Sequence, residues 1–333
     1  MLQTTSLDVL RTMENVVALF SNVIDYVIEW ANEPTAPDLL PFLKAAWKTF
    51  GPNLRTLSLE VPLHKFEALR LSYVDLGAIR ELSITIPHTE DFGTIEPGPV
   101  LCGAVSSLIE QLSPRLRSFS FTSRKTNLNL SPLFSSLPSF PMLDRLNVTL
   151  PLVLPAPLYT SPIMRILRDH AHTIQHVNLM VNNLFQGHDQ LWSSSMILEP
   201  AILSNLRTLQ LYMAMDTKSA LDLTRRSCNT LTALDLGLWG KYMSYDEAYT
   251  VVNLFSHRPA SRRLDSFGIN VSVLSPQLLD VLASALPELQ DLRLAFHELA
   301  FTNGTLQPPV SSTLVVIFPR FDIQSSNILT EIF

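Results

Sequence analysis

One spacing, Leu-x-x-Leu-x-Leu, recurs along this chain and restricts what it can fold into. Leu206, Leu209 and Leu211 set the register, which returns at Leu231/Leu234/Leu236 and at Leu289/Leu292/Leu294. The last two positions of each copy alternate with polar neighbours, the period of a short strand with one buried face. Nine copies align, starting at Leu54, Ile79, Leu116, Leu143, Ile174, Leu206, Leu231, Leu264 and Leu289, in steps of 25, 37, 27, 31, 32, 25, 33 and 25 residues. Phe119/Phe121 and Phe267/Ile269 replace leucines without breaking the pattern, because any large apolar side chain fills such a position.

A mean step of about 29 residues is the long end of the leucine-rich-repeat range, with room for a helix in each repeat. The spacers carry helix signals. Ser161-Pro162 and Ser275-Pro276 put a hydroxyl acceptor before a proline at the first helical position, and Ser244 with Glu247 forms a capping box. Leu278, Leu279, Leu282 and Leu286 make one apolar helical face. The stretch 124–142, with Pro132, Pro138 and Pro141, is too rich in proline for a long helix. Strand, helix, strand at this period predicts an α/β leucine-rich-repeat solenoid, a right-handed horseshoe. Nine to ten parallel strands line its concave face, with helices on the convex one.

The ends of such a stack need covers. Leu7, Leu10, Met13, Val17, Phe20, Ile24, Val27 and Trp30 recur at helical steps, so a helix is expected to run to Trp30 and stop before Pro34 and Pro37. A second helix is expected over about Asp38 to Phe50, halted by Gly51-Pro52. Residues 1–52 are therefore expected to be a helical N-terminal cap, 53–300 the repeats, and 301–333 a C-terminal cap or tail in which 314–318 could add a degenerate tenth strand.

Composition narrows function. Leucine supplies 58 of 333 residues and glycine only 10, too few for folds built on glycine-rich phosphate loops. A net charge of −6 disfavours a nucleic-acid binder, which needs a basic stripe. No apolar run reaches the roughly 18 residues of a membrane span, and the N-terminus has no signal-peptide pattern, so the expected location is cytoplasmic or nuclear. Cys102 and Cys228 are expected to be buried free thiols. No nucleophile elbow, phosphate loop or paired-carboxylate motif is found, so no enzymatic activity and no cofactor are expected. His170, His172 and His176 cross from a helix end to a strand start, where their rings should diverge, so no metal site is expected. The first two are read as complementing the helix dipole.

With the repeats in view, the chain resembles the leucine-rich-repeat portion of fungal F-box/LRR proteins. The resemblance is carried by Ala45-Ala-Trp-Lys-Thr-Phe-Gly-Pro-Asn-Leu-Arg-Thr-Leu-Ser-Leu59 and Ser284-Ala-Leu-Pro-Glu-Leu-Gln-Asp-Leu-Arg-Leu294. It covers about residues 40–300 and implies a substrate-binding subunit of a ubiquitin ligase, with a cullin-ligase adaptor as a partner. The F-box that the family places at its N-terminus, with a Leu-Pro start, is not recognisable in residues 1–50.

Residues between the buried leucines should face a partner on the concave side. The first rows are small hydroxyls. The middle rows bring Arg145, Asn147, His176, Asn178, Gln210, Tyr212 and Asp235, with Trp239 and Tyr242 just past the strand; these seven are the expected partner-binding patch. The last row brings Asp291 and Arg293, which that patch leaves out. Nine strands at ~4.8 Å make a face ~38 Å long, suited to a protein or peptide. A protein-recognition scaffold is the leading reading. A GTPase-activating repeat protein and an intracellular sensor or effector stand as alternatives.

Overall fold

The computed structural model describes residues 6–30, 40–69, 75–87, 99–124, 130–151, 163, 165–182, 203–212, 217–237, 242–256, 258, 263–301 and 312–317. The chain forms two compact units, Met1–Thr173 and Ile174–Phe333.

In the first unit five strands lie parallel in chain order: β1 (Asp25–Glu29), β2 (Thr56–Glu60), β3 (Glu81–Ile86), β4 (Ser118–Ser123) and β5 (Arg145–Pro151). Asp25, Thr56, Glu81, Ser118 and Arg145 stand side by side, so the sequence register is also the hydrogen-bonding register. Parallel neighbours need crossovers. Among the described residues these contain α2 (Leu40–Phe50), three 3-10 turns, α3 (Pro99–Leu112) and the short α4 (Ser131–Ser135) that the prolines permit. Leu57, Leu59, Leu82, Ile84, Phe119 and Phe121 are buried on one face, with Trp47, Ile109 and Phe134 of the helices. Phe121 meets Phe134 edge-on at 5.3 Å, and Phe119 stacks on Phe140 at 5.5 Å.

The N-terminal region departs from the expected long helix. α1 (Ser6–Val17) stops at Val17, and residues 25–29 form β1, paired in parallel with β2. Val23, Tyr26 and Ile28 take the places of Leu54, Leu57 and Leu59, so this is one more copy of the repeat, written in β-branched and aromatic residues. Tyr26 is the reason a strand wins. Its ring packs edge-on against Trp47 and Phe50, both at 5.4 Å, while Phe20, Ile24 and Val27 of the supposed helical face stay exposed. Pro34 and Pro37 lie outside the described residues.

The second unit holds β6 (His176–Asn182), β7 (Thr208–Tyr212), β8 (Ala233–Leu236), β9 (Ser266–Leu274) and β10 (Asp291–Leu299), all parallel and in order. Its helices are α5 (Thr217–Ser227), α6 (Tyr245–Ser256) and α7 (Pro276–Ala285). The capping box is made: the Ser244 amide donates to Glu247 Oε2 at 2.8 Å, and the Glu247 amide donates to Ser244 Oγ at 3.3 Å. Ser275 caps α7 by accepting from the Leu278 amide at 3.3 Å. The tail adds β11 (Ser312–Ile317), which runs antiparallel to β10 and so does not continue the repeat series. The Ser161-Pro162 cap lies outside the described residues. Cys228 is partly exposed rather than buried, its thiol turned to the Arg225 carbonyl.

One backbone feature repeats in both units. The carbonyl just before a strand accepts two successive amides of the next repeat: Arg55 O takes Arg80 and Glu81, Arg80 O takes Arg117 and Ser118, and Arg207 O takes Thr232 and Ala233. Ile24, Arg117, Gln175, Thr232 and Asp265 do the same.

Phe121 has no exposed surface, so Phe121→Ala should cost about 3–5 kcal/mol. Met142→Ala, at a side chain 47% exposed, should stay within about 0.5 kcal/mol. Urea denaturation of the two variants checks the contrast.

Candidate functional site

In regular strands of this chain burial alternates, as in β2 and β7. The leucines go into the core and the residues between them onto an open face. In the second unit the rule breaks at two adjacent positions. Asp235 of β8 and Gly268 of β9 are buried although they belong to the open face. They stand in one row, Asn178, Gln210, Asp235, Gly268 and Arg293, neighbours across five strands.

What covers them is a three-residue network. Arg293 Nη1 donates to Asp235 Oδ2 at 2.7 Å and to the Tyr212 hydroxyl, and that hydroxyl donates to Asp235 Oδ2. Arg293 starts two strands away from Asp235, roughly 10 Å at ~4.8 Å per strand. The two side chains can meet because the strand between carries Gly268, which leaves room for the Asp235 carboxylate. A methyl group there would come within 2.7 Å of the Asp235 carboxyl carbon. Gly237 plays the same part for Tyr212, since a methyl group there would overlap the tyrosine ring.

The electrostatics follow from this packing. Burial raises the carboxyl of Asp235 above its ordinary range, against the opposing effects of the Tyr212 hydrogen bond and the Arg293 charge. Burial also pushes the Tyr212 phenol above its ordinary value of 10, helped by its hydrogen bond to Asp235 and that residue's charge and opposed by Arg293. A phenol held protonated is a hydrogen-bond donor and a rigid surface, not a base. The Arg293 side chain remains 51% exposed, so the network presents one fixed guanidinium and one fixed ring to whatever meets this face.

Of the seven expected patch residues, Tyr212 and Asp235 are in direct contact. His176 Nδ1 is hydrogen-bonded to Thr208 Oγ1 at 3.0 Å, one position earlier on β6 and β7. Asn178 and Gln210 occupy the row of Asp235, and the Asn178 side-chain oxygen is shielded from solvent with no hydrogen bond. Arg145 and Asn147 belong to the first unit; Arg145 is exposed beside Asp144, and the Asn147 side-chain oxygen is shielded and unbonded. Trp239 lies outside the described residues, and Tyr242 sits 5.8 Å from the His297 ring. Arg293 is the residue the sequence reading left out. The usable signal was the pair of glycines in a chain with so few, each in a row where a side chain was expected.

The histidine run resolves differently from the dipole reading. His170 is buried, and its Nε2 accepts the Phe140 amide at 3.1 Å, which requires an uncharged ring. Burial lowers its pKa, with Asp169 opposing, so it is not the helix-end cation the spacing suggested. His176 points to Thr208, away from that contact.

The parallel ladders, leucine core and crossover helices are those of a leucine-rich-repeat α/β solenoid. No family model matches the chain, and no curated protein matches it. Among solved structures it is similar to a chain in the crystal structure of the Rad7 and Elc1 complex in yeast, with a TM-score of 0.39 and 12% identity over 91% of this chain and 86% of that one. No helix among the described residues is long and apolar enough to cross a membrane.

Gly268→Ala should lower stability by about 1–3 kcal/mol by forcing Asp235 and Arg293 apart. Tyr212 provides the pH test. Its folded pKa is raised, so its contribution to stability is full below about pH 10 and is lost as the pH rises through the folded value. Alkaline difference absorbance should therefore show no ionisation of Tyr212 at pH 10 in the folded protein. In Gly268→Ala that phenol should titrate closer to its ordinary value.

Proposed function

We propose that this chain is a protein-recognition scaffold, and that the open face of its second unit binds the partner through Tyr212, Arg293 and the polar row beside them. The observation that carries this is the Tyr212–Asp235–Arg293 network. Tyrosine and arginine are the side chains on which binding energy concentrates. Both lose much rotamer freedom when a partner fixes them, a cost of about 0.5–1.5 kcal/mol per side chain. Here Asp235 and the two glycines hold them in place beforehand, so a partner meets a surface already ordered. His176, Asn178 and Gln210 supply adaptable polar contacts on the same open face. Arg145 and Asn147 extend the proposal to the open face of the first unit.

The resemblance to fungal F-box/LRR proteins supports a narrower version, in which the scaffold is the substrate-binding subunit of a ubiquitin ligase. The two versions separate experimentally. Parent protein and Tyr212→Ala/Asp235→Ala serve as baits in parallel, with bound proteins quantified by mass spectrometry and folding checked by circular dichroism. The double variant leaves Arg293 solvated rather than stranding a buried charge. Proteins that dock on this face should fall roughly tenfold or more with the variant. A partner retained equally by both baits docks elsewhere and overturns the site. Absence of any cullin-ligase adaptor from the parent's partners removes the ligase version and leaves the scaffold.

A further inference from the structure

Exposed apolar side chains are concentrated at one end of the first unit. Six of the eleven large hydrophobic side chains exposed among the described residues fall between 13 and 27: Met13, Val16, Leu19, Phe20, Ile24 and Val27. Leu19 is 79% exposed, Val27 59% and Phe20 56%. The stretch ends in β1, the first strand of the ladder, which pairs with β2 on one side and with no other described strand.

The ladder fixes which backbone groups β1 has to offer. Ile24 O accepts from the Thr56 amide at 3.0 Å, and the Trp30 amide donates to Glu60 O at 2.9 Å. In a parallel ladder alternate residues turn both N–H and C=O to the same neighbour. Residues 24, 26, 28 and 30 therefore face β2, and Asp25, Val27 and Glu29 turn their backbone groups outward. These three residues also place their side chains on the open face, and all three are exposed.

Their order is acid, apolar, acid. Neither carboxylate forms an ion pair among the described residues, whereas Glu60 on the neighbouring strand is paired with Arg124 at 2.7 Å. Charges on an edge commonly blunt self-association, and these do so for an antiparallel copy. Added antiparallel about Val27, a second copy puts Asp25 opposite Glu29 twice. Like charges directly across a ladder are unfavourable and opposite ones favourable, so the same pair that rejects a copy selects a basic strand.

We propose that the free edge of β1 docks an extended segment of another protein, with Lys or Arg at its first and fifth positions and an aliphatic residue at the third. Main-chain hydrogen bonds to Asp25, Val27 and Glu29 supply the adhesion, and the two carboxylates set the choice of partner. This site is separate from the one proposed on the second unit, and neither depends on the other.

The test uses the full chain and a dye-labelled peptide, Gly-Lys-Thr-Val-Thr-Lys-Gly, followed by fluorescence anisotropy in low salt. A second peptide carries Glu in place of both Lys. The parent should bind the basic peptide saturably, more weakly as salt is raised, and ignore the acidic one. Asp25→Lys/Glu29→Lys should invert that preference, by at least about tenfold for each peptide. Val27→Pro removes an outward N–H that β2 does not use, so it should abolish binding with little change in circular dichroism or urea midpoint. No saturable binding by the parent overturns the proposal, as does equal binding by the variants. So does a sedimentation profile in which the parent is a dimer and Val27→Pro a monomer, which would make a second copy the occupant.

Discussion

The structure depends on doubly used carbonyls at the repeat junctions. Just ahead of eight of the described strands, one backbone oxygen accepts two successive amides from the repeat that follows, as Arg55 does for Arg80 and Glu81. This bond is local to the junction between strands and independent of what the spacer does elsewhere. It starts each ladder at the same point, and a one-residue slip would turn every leucine out to solvent. Repeat steps of 25 to 37 residues can therefore be tolerated, because spacer length affects neither the clamp nor the strand after it.

Much of this was legible in the sequence. All nine Leu-x-x-Leu-x-Leu copies are strands, and the caps at Ser244 and Ser275 are made as their residue types predict. The failures have physical causes. Val23, Tyr26 and Ile28 form a copy of the repeat without a leucine, and apolar residues nearby happen to fall at helical steps, so two periods were superimposed on one stretch. Packing of Tyr26 against Trp47 and Phe50, a long-range contact, decides between them. The direction of β11 could not be read either, because a strand's pattern is the same in both orientations.

The candidate site was half legible. Tyr212 and Asp235 stand out by residue type, but the third member of their network comes from a strand two away from Asp235. Arg293 lies 58 residues after Asp235, and only the hydrogen-bonding register brings them into one row. The hint lay in an absence: glycine at 237 and 268, where a repeat of this kind ordinarily carries a side chain. His170 shows the opposite case. Its place near a helix end suggests a charge, yet burial and the Phe140 amide keep it neutral.

Gly268 has a bearing on how this face can evolve. A residue with a side chain is excluded there while the Asp235 carboxylate, held by Arg293, occupies the space beside it, so tolerance at 268 is conditional on the state of 235 and 293. Shortening Asp235 first would open that position; changing 268 first would meet a barrier. The three sites are thus tied by order of substitution although no two are sequence neighbours. Relatives that differ here should have exchanged the whole set, acquiring a different surface in one coordinated move rather than by gradual drift.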